Sequence, residues 1–298
     1  MKPTQLKAFV AVSTQMSIRG AAHMLGVSPP AVTKIMRELE AELGAPLIER
    51  SVKGVQLTEC GAALLPRARL LLDDMRQARE EVAQVRDGTK GHLRIAVSAA
   101  FAQTLLVPAF RAVRARRPGV TVYLSESGLS GMLERLRDAQ LDFAITHIDP
   151  RALGSEFECL PLFPVQLVVG AHRRHPLRKC RRVRDLMQAE WALPGDGSDQ
   201  WAASVSLFAS LGLPLPARVV QGDSIAAALA LVSQMNFLGF FVETLSDHVF
   251  KAHGIRRLEL DDVLPTFHVC VVHRHGSKLT PAALDFIACV RDLSAGAA

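Results

Sequence analysis

Apolar residues near the N-terminus repeat at helical spacing and predict two short helices joined by a tight turn. The first covers residues 18–25 and ends at Gly26, which can take the left-handed conformation that closes a helix. Ser28 then offers an N-cap oxygen to the second helix. Because Pro30 disfavours helical angles in the residue before it, the pattern leaves open a start at Pro29 or at Pro30.

The second helix has two contrasting faces. Its apolar stripe follows helical spacing and consists of Val32, Ile35, Met36, Leu39 and Leu43. Pro30, Thr33, Lys34 and Arg37 fall together on another face, and such small, hydroxylated or cationic side chains fit the major groove of DNA. A tight turn between two helices with an exposed basic face is typical of a helix-turn-helix, here at about residues 18–37.

Residues 46–58 extend this pattern into a wing. Two short β-like runs flank a turn that carries Arg50 and Lys53, which favours contact with a phosphate backbone. A preceding amphipathic helix at 4–14 is expected to pack beneath the helix-turn-helix. The pattern therefore predicts a winged helix-turn-helix domain over residues 1–58.

A long helix is predicted next, within a linker of residues 59–89. Its apolar positions are spaced 4, 3, 4, 3, 4, 3 and comprise Leu64, Ala68, Leu71, Met75, Ala78, Val82 and Val85. This 3.5-residue repeat is typical of a helix that packs lengthwise against a partner helix, so we expect it to dimerise the chain. An ordinary surface helix is the alternative. Pro66 predicts a late start or a bend, and residues 87–91 mark a domain boundary.

The remainder alternates strands and helices, which predicts an α/β fold with parallel sheets. Strands are predicted at 93–98, 120–124, 141–145, 166–169, 191–193, 217–220, 238–242 and 267–272, and helices at 104–116, 131–139, 183–188, 201–211, 225–234 and 281–293. This order predicts two subdomains joined by crossings near 160–167 and 265–269. Subdomain I is expected at about 90–162 and 268–298, and subdomain II at about 163–267, within one domain of residues 90–298.

Composition narrows the class of protein. The 298 residues are 49% hydrophobic and carry a net charge of +6, which suits sizeable cores and contact with a polyanion. The five cysteines are scattered without a C-x-x-C, which is typical of reduced thiols in a cytosol. The N-terminus lacks a signal-peptide core and no apolar run would span a bilayer, so we expect a soluble, cytoplasmic protein without a membrane partner.

The N-terminal motif closely resembles that of the LysR-type transcriptional regulators. The matching positions are Ala21-Ala22, Leu25-x-Val27-Ser28-x-Pro30-Ala31-Val32-Thr33, Leu39-Glu40-x-x-Leu43-Gly44-x-x-Leu47-x-x-Arg50 and Leu57-Thr58-x-x-Gly61. The family usually has glutamine at Pro29, serine at Thr33 and phenylalanine at Ile48. Because proline cannot bond bidentately to a base edge, one common specificity contact is missing here.

The resemblance implies a sequence-specific, non-enzymatic regulator that binds double-stranded operator DNA and is controlled by a small molecule held between two α/β subdomains. The domain of residues 90–298 then resembles periplasmic solute-binding proteins. The expected oligomer is a homodimer with antiparallel linker helices, or a homotetramer, and RNA polymerase is left open as a partner. The residues expected to contact DNA are Arg19, Ser28, Pro29, Pro30, Thr33, Lys34, Arg37, Arg50 and Lys53.

A small-molecule site is expected beyond the carboxyl ends of the predicted strands, where ligands bind in open α/β sheets. The candidates there are Ser98, Ala99, Ala100, Phe101, Thr146, His147, Gly195, Gly222, Asp223 and Phe241. The resemblance raises Ser98, Thr146 and the stretch near Gly222 as effector contacts. An anionic or aromatic effector is expected, although a mainly apolar ligand stays open because no Arg or Lys lies at these ends. Plain helix capping is the alternative role for Ser98.

Two other classes of protein compete with a regulator. A solute-binding protein for transport does not account for the first 90 residues or for the missing signal peptide. An α/β enzyme with a helical appendage would need a catalytic constellation, and no G-x-S-x-G, H-E-x-x-H or P-loop occurs in the sequence. No catalytic residue, metal site or cofactor is predicted.

Overall fold

The computed structural model describes residues 1–51, 54–87, 90–195, 199–245 and 248–295. Its contacts divide the chain into two units, Met1–Arg86 with Arg137–Gln140 and Asp87–Leu136 with Leu141–Ala298. Within the described ranges, no helix is both long and apolar enough to cross a membrane.

The first unit is a winged helix-turn-helix followed by a long helix, as the sequence predicts. Its elements are α1 (Pro3–Gln15), α2 (Ile18–Leu25), α3 (Pro29–Leu43), β1 (Ile48–Ser51), β2 (Gly54–Leu57) and α4 (Glu59–Asp87). One apolar cluster joins all three short helices, the wing and the start of α4, and it includes Leu6, Phe9, Val12, Ala21, Val32, Met36, Leu39, Leu47, Val55 and Ala68. Burial of one face of α3 in this cluster leaves the opposite face at the surface.

The turn between α2 and α3 has the predicted local chemistry. Ser17 caps α2 by accepting a hydrogen bond from the Gly20 N–H at 3.2 Å. Gly26 closes α2 at φ 66° and ψ 31°, and its N–H reaches the carbonyls of Ala22 and His23. The left-handed conformation costs glycine little, so the chain reverses within three residues.

The start of α3 differs from the expected cap. The helix begins at Pro29 rather than Pro30, so the bias of Pro30 against helical angles in its neighbour is overridden. Ser28 occupies the N-cap position but its side chain makes no capping hydrogen bond, which corrects the sequence-based expectation. The two prolines that follow it have no N–H to donate, and the backbone carbonyl of Ser28 already accepts from Val32 at 3.2 Å.

Two hydrogen-bonded ties fix the wing to the helices. The carboxylate of Glu40 in α3 accepts from the N–H groups of Leu47 and Ile48, at 2.8 and 3.3 Å, just before and at the start of β1. The Val55 N–H in β2 donates to the carbonyl of Met16 at 3.0 Å. Because β1 and β2 pair antiparallel, both strands of the wing are anchored.

The long helix α4 begins at Glu59 and runs through Pro66, so of the two alternatives predicted from that proline the late start is wrong and the bend stays a prediction. Thr58 caps the helix by accepting from the Gly61 N–H at 3.0 Å. Gly61 lies so close to the wing that an added Cβ would sit 2.0 Å from the carbonyl oxygen of Leu47. Tertiary packing at this end therefore outweighs the roughly 3 kcal/mol that an interior proline costs a helix.

The second unit is a two-part α/β structure. Its strands are β3 (Lys90–Val97), β4 (Gly119–Glu126), β5 (Phe143–Ile148), β6 (Phe157–His172), β7 (Trp191–Pro194), β8 (Val219–Gly222), β9 (Leu238–Val242), β10 (Ile255–Arg257) and β11 (Thr266–Arg274). Its helices are α5 (Ala99–Thr104), α6 (Leu106–Arg116), α7 (Leu129–Arg137), α8 (Asp199–Ser210), α9 (Ile225–Met235), α10 (Val249–Ala252) and α11 (Pro281–Ala295), with 3₁₀ turns at Pro150–Ala152, Val183–Leu186 and Glu243–Leu245.

The strand order is β4-β3-β5-β11-β6-β9-β7-β8, with β10 also paired to β6. Strand β3 pairs in parallel with β4 and β5, and β7 pairs in parallel with β8 and β9. The antiparallel strands β11 and β6 lie between these two parallel halves. The predicted crossing near 160–167 is therefore continuous strand, since β6 pairs with β11 over its first part and with β9 over its second.

Several short elements depart from the sequence prediction. The helix predicted over 104–116 is α6, which begins at Leu106 because the shorter helix α5 ends at Thr104, and the one predicted over 183–188 is a 3₁₀ turn. Helix α10 and strand β10 were not predicted. Elements of three or four residues carry too little periodicity to be recognised, because long-range pairing rather than local preference stabilises them.

Candidate nucleic-acid interface and small-molecule site

The exposed face of α3 and the start of α2 line a shallow depression with a volume of about 700 Å³. We call it the α2–α3 surface, and it is lined by Ile18, Arg19, Pro29, Pro30, Thr33, Lys34, Arg37 and Glu38. Six of these residues are among those predicted to contact DNA. The sequence analysis did not predict Ile18 and Glu38 as part of this surface, because an isoleucine is usually buried in the core and an acidic residue is not expected in a basic surface.

Three cations give the α2–α3 surface its charge. The side chains of Arg19, Lys34 and Arg37 are exposed, and none of them is ion-paired to another described residue. Thr33 is half-buried between them, and the exposed Glu38 adds one carboxylate. Exposed and unpaired cations on a convex helix suit a polyanion with grooves, because each can reach a phosphate or an acceptor on a base edge.

The two serines that precede helices in this region differ in structure. Ser17 is half-buried and its hydroxyl caps α2, whereas Ser28 is exposed and its hydroxyl makes no capping bond. A hydroxyl left free at the N-terminus of α3 can bond to a phosphate oxygen, and backbone contacts of this kind set the register of a protein on DNA.

The wing residues are only partly described. The backbone of Arg50 lies in β1 opposite Val55, but its side chain is outside the described residues, as is the whole of Lys53. Their predicted contacts with the phosphate backbone therefore stay predictions.

In the second unit, Ser98 and His147 meet at the carboxyl ends of β3 and β5. Ser98 caps α5 through a long bond from the Phe101 N–H at 3.4 Å, as predicted, and its Oγ lies 3.1 Å from Nδ1 of His147. The two residues are 49 positions apart, and register between the parallel strands brings them together. Ser127, which was not predicted, follows β4 at the same edge and hydrogen-bonds to Val97 through its N–H at 3.4 Å.

Burial lowers the pKa of His147 to about 4, so its imidazole is neutral at pH 7. The hydroxyl hydrogen of Ser98 can be donated to Nδ1, which places the ring hydrogen on Nε2. That Nε2 is sealed from solvent and has no hydrogen-bond partner among the described residues. Such an unsatisfied donor costs about 1–3 kcal/mol, which a ligand acceptor would recover.

The other predicted residues of this site are spread over the sheet. Thr146 is buried with Ala144 and Ile148 on the face of β5 opposite to His147, because side chains alternate along a strand. Phe101 and Phe241 are fully or nearly fully buried in the main apolar cluster, where Phe241 stacks edge-on against Phe250. Neither phenyl ring is exposed to a ligand in this conformation.

The opposite half contributes a second group of predicted residues. The Gly195 N–H donates to the Gly222 carbonyl at 3.1 Å and so joins the ends of β7 and β8, with Asp223 exposed beside them. The two halves approach each other where α5, which carries Ala99 and Ala100, contacts the 3₁₀ turn Glu243–Leu245. Oγ1 of Thr244 in that turn is buried and, within the described part of the chain, also lacks a hydrogen-bond partner.

No group of three or more metal-ligating side chains occurs in the part of the chain that the structure describes. At the carboxyl ends of β3 and β5, the hydroxyl of Ser98 meets the neutral imidazole of His147, and such groups suit hydrogen bonding to an organic molecule.

Comparisons with known proteins match both units. The family model for the LysR substrate binding domain matches residues 86–295, and that for the bacterial regulatory helix-turn-helix protein of the lysR family matches residues 3–62. The HTH-type transcriptional regulator GbpR of Azospirillum brasilense is 28% identical over 257 residues, which are 85% of this chain and 75% of GbpR.

Solved structures share the fold over nearly the whole chain. Full-length OxyR C199D from Pseudomonas aeruginosa has a TM-score of 0.73 at 20% identity and covers 98% of this chain and 95% of its own. The LysR family regulator CbnR in complex with its target DNA has a TM-score of 0.67 at 25% identity and covers 98% and 99% of the two chains.

We predict that His147 makes the second unit sensitive to acid. Its folded-state pKa of about 4 lies below the ordinary value of 6.5, so the unfolded chain takes up the proton first as the pH falls. The associated stability is complete above pH 6.5 and is lost towards pH 4, by up to about 3 kcal/mol. Urea unfolding at a series of pH values, followed by the fluorescence of the buried Trp191, measures this loss.

His147→Asn should reduce the loss between pH 6.5 and 4, and the matched variant His92→Asn, which replaces an exposed histidine of β3, should keep it. The remaining loss includes His175, whose pKa burial also lowers. An unchanged pH dependence in His147→Asn would contradict the assignment.

Proposed function

The chain belongs to the LysR family of transcriptional regulators, and we propose that it binds operator DNA through the α2–α3 surface and responds to a small molecule held between the halves of its second unit. The observation that carries the proposal is the surface formed by half-buried Thr33 and exposed Lys34 and Arg37 on a helix that buries another face in the core. The DNA complex of the similar regulator CbnR supports it.

In this proposal α3 enters the major groove. Lys34 and Arg37 reach base edges or phosphates there, and Thr33 lies between them. Arg19 and Ser28 contact the phosphate backbone beside the groove, and Arg50 and Lys53 of the wing contact it further along. The hydrogen bonds from Leu47 and Ile48 to Glu40 support this arrangement, because they hold the wing at a fixed position relative to α3.

We further propose that two copies pair through α4. The later part of the predicted seam faces solvent in the single chain, where Leu71, Val82 and Val85 are 43%, 71% and 77% exposed, whereas Ala68 at its start is buried in the core of the first unit. The opposite face holds the polar Asp73 and Gln84, which are buried, so the seam is the apolar surface that α4 leaves uncovered. A dimer, or a tetramer built from two dimers, would present paired α3 helices to two half-sites about 34 Å apart.

The effector of this proposal is a small organic molecule with a hydrogen-bond acceptor for Nε2 of His147. Ser98 positions the imidazole, and the proposed site includes Thr244 and the strand ends at Gly195, Gly222 and Asp223 from the other half. Binding would alter the spacing of the DNA-binding units only if the molecule binds two conformations with different affinity.

We predict that Lys34→Ala and Arg37→Ala weaken binding to the DNA upstream of the protein's own gene. Each removes one cation, so the slope of log affinity against log salt should fall by about one, with a loss of about 1–3 kcal/mol where the side chain contacts a base. Fluorescence anisotropy across a salt series measures both quantities.

Lys7→Ala is the matched control, because Lys7 is an exposed lysine of α1 outside the α2–α3 surface. Equal effects of all three substitutions would count against a sequence-specific regulator. So would binding that competitor DNA of any sequence abolishes equally.

For the dimer, Val82→Glu together with Val85→Glu should shift the oligomer towards single chains, because two carboxylates in an apolar seam must be desolvated. Sedimentation velocity at several protein concentrations measures the shift. Arg79→Glu changes an exposed position of the same helix outside the seam and should leave the oligomer intact. A dimer that tolerates both valine substitutions would exclude this seam.

For the effector, we expect a small carboxylic acid or aromatic compound to raise the melting temperature of the full-length protein, because a ligand stabilises the folded state by about 2.7 kcal/mol at one hundred times its Kd. A thermal-shift screen of both compound classes measures this. Ser98→Ala and His147→Asn should reduce the shift of any hit, and Ser210→Ala, at an exposed serine of α8, should not. Equal shifts in all variants would place the ligand elsewhere.

A further inference from the structure

The leading end of α3 carries two adjacent prolines. Pro29 and Pro30 are the first two residues of the helix, and both are exposed within the α2–α3 surface. Residues four apart share one face of a helix, so Pro29 begins a row that continues through Thr33 to Arg37. At 1.5 Å per residue the row is about 12 Å long, which matches three to four base pairs.

The first two residues of the helix offer no polar donor, and the nearest one is the hydroxyl of Ser28 at the N-cap position. A proline lacks an N–H, so the first two helical residues have no backbone donor for a phosphate or a base. Their rings present only carbon to the surface. The cations that line the same surface, Arg19, Lys34 and Arg37, surround this apolar patch and would attract the phosphates on either side of it.

The major groove contains one apolar recognition group, which is the 5-methyl group of thymine. Residues near the N-terminus of a recognition helix are the ones that contact base edges. A ring carbon in van der Waals contact with that methyl group gains favourable burial, whereas a cytosine amino group or a purine acceptor would lose its hydrogen bond to water against the same ring.

We propose that Pro29 is a specificity determinant that selects a thymine in each operator half-site through contact with its 5-methyl group. The proposal rests on the proposed DNA-binding function and deepens it. Specificity at this base pair comes from apolar contact alone. Thr33, Lys34 and Arg37, further along the helix, make the polar contacts with the operator.

Deoxyuridine tests the methyl contact directly, because it pairs as thymidine does and lacks only the methyl group. The full-length protein is first used to select its preferred duplex from a random library, and each thymidine of that duplex is then replaced in turn by deoxyuridine. We expect one replacement in each half-site to weaken binding about fourfold, the equivalent of about 0.8 kcal/mol for one buried methyl-sized group.

A variant then assigns the contact to Pro29. Pro29→Gln removes the ring and supplies an amide that can bond to the adenine of the same base pair, so it should bind the thymidine and deoxyuridine duplexes equally. Pro29→Ala should also lose the fourfold discrimination, without the new amide. Pro3→Gln is the matched control, because Pro3 is the exposed first residue of α1 and lies outside the α2–α3 surface.

The outcomes separate the two proposals. Selection of no preferred sequence would overturn the regulator itself and this proposal with it. A preferred duplex in which no deoxyuridine replacement weakens binding would overturn the thymine contact alone. Fourfold discrimination that persists in both Pro29 variants would assign the methyl group to another residue. Loss of all binding by both variants, with circular dichroism like that of Pro3→Gln, would also overturn the proposal, because one methyl contact cannot carry the whole affinity.

Discussion

Burial of one face of α3 is the constraint on which the first unit depends. Val32, Met36 and Leu39 are almost entirely removed from solvent, and each such side chain contributes about 1.5–3 kcal/mol. Rotating the helix would expose this face, so the adjacent row from Pro29 to Arg37 is held at the surface by the core beside it. In the proposed complex with DNA, the cations would act from a rigid support, and little ordering entropy would be lost on binding.

The wing is also held in place by α3, but through polar contacts rather than apolar ones. Glu40 lies on α3 itself, and its carboxylate holds the backbone of Leu47 and Ile48, so a movement of the helix would carry the wing with it. Gly61 permits a close approach of α4 to the same turn. Helices α3 and α4 therefore both contact the backbone at Leu47, where the wing begins. A change in the direction of α4 would therefore shift the wing.

The local features of the chain could be predicted from sequence, and the long-range contacts could not. The turn at Gly26, the cap at Ser98 and the 3.5-residue repeat of α4 follow from residues a few positions apart. The contact between Ser98 and His147, the burial of Asp73 and the unused hydroxyl of Ser28 depend on distant packing or on the backbone that follows. The late start predicted from Pro66 was wrong for the same reason, because the local cost of the proline is outweighed by contacts that only the folded chain makes.

Strand β6 passes from one half of the second unit to the other, pairing with β11 and then with β9, and its register against β11 shifts between Val269 and Cys270. The halves are thus joined by a hydrogen-bonded strand rather than by a flexible loop. Relative motion of the halves would have to twist β6, because this strand is paired in both of them. Such a joint favours small rotations over large ones, because a large rotation would break the pairing of β6 with β11 or with β9.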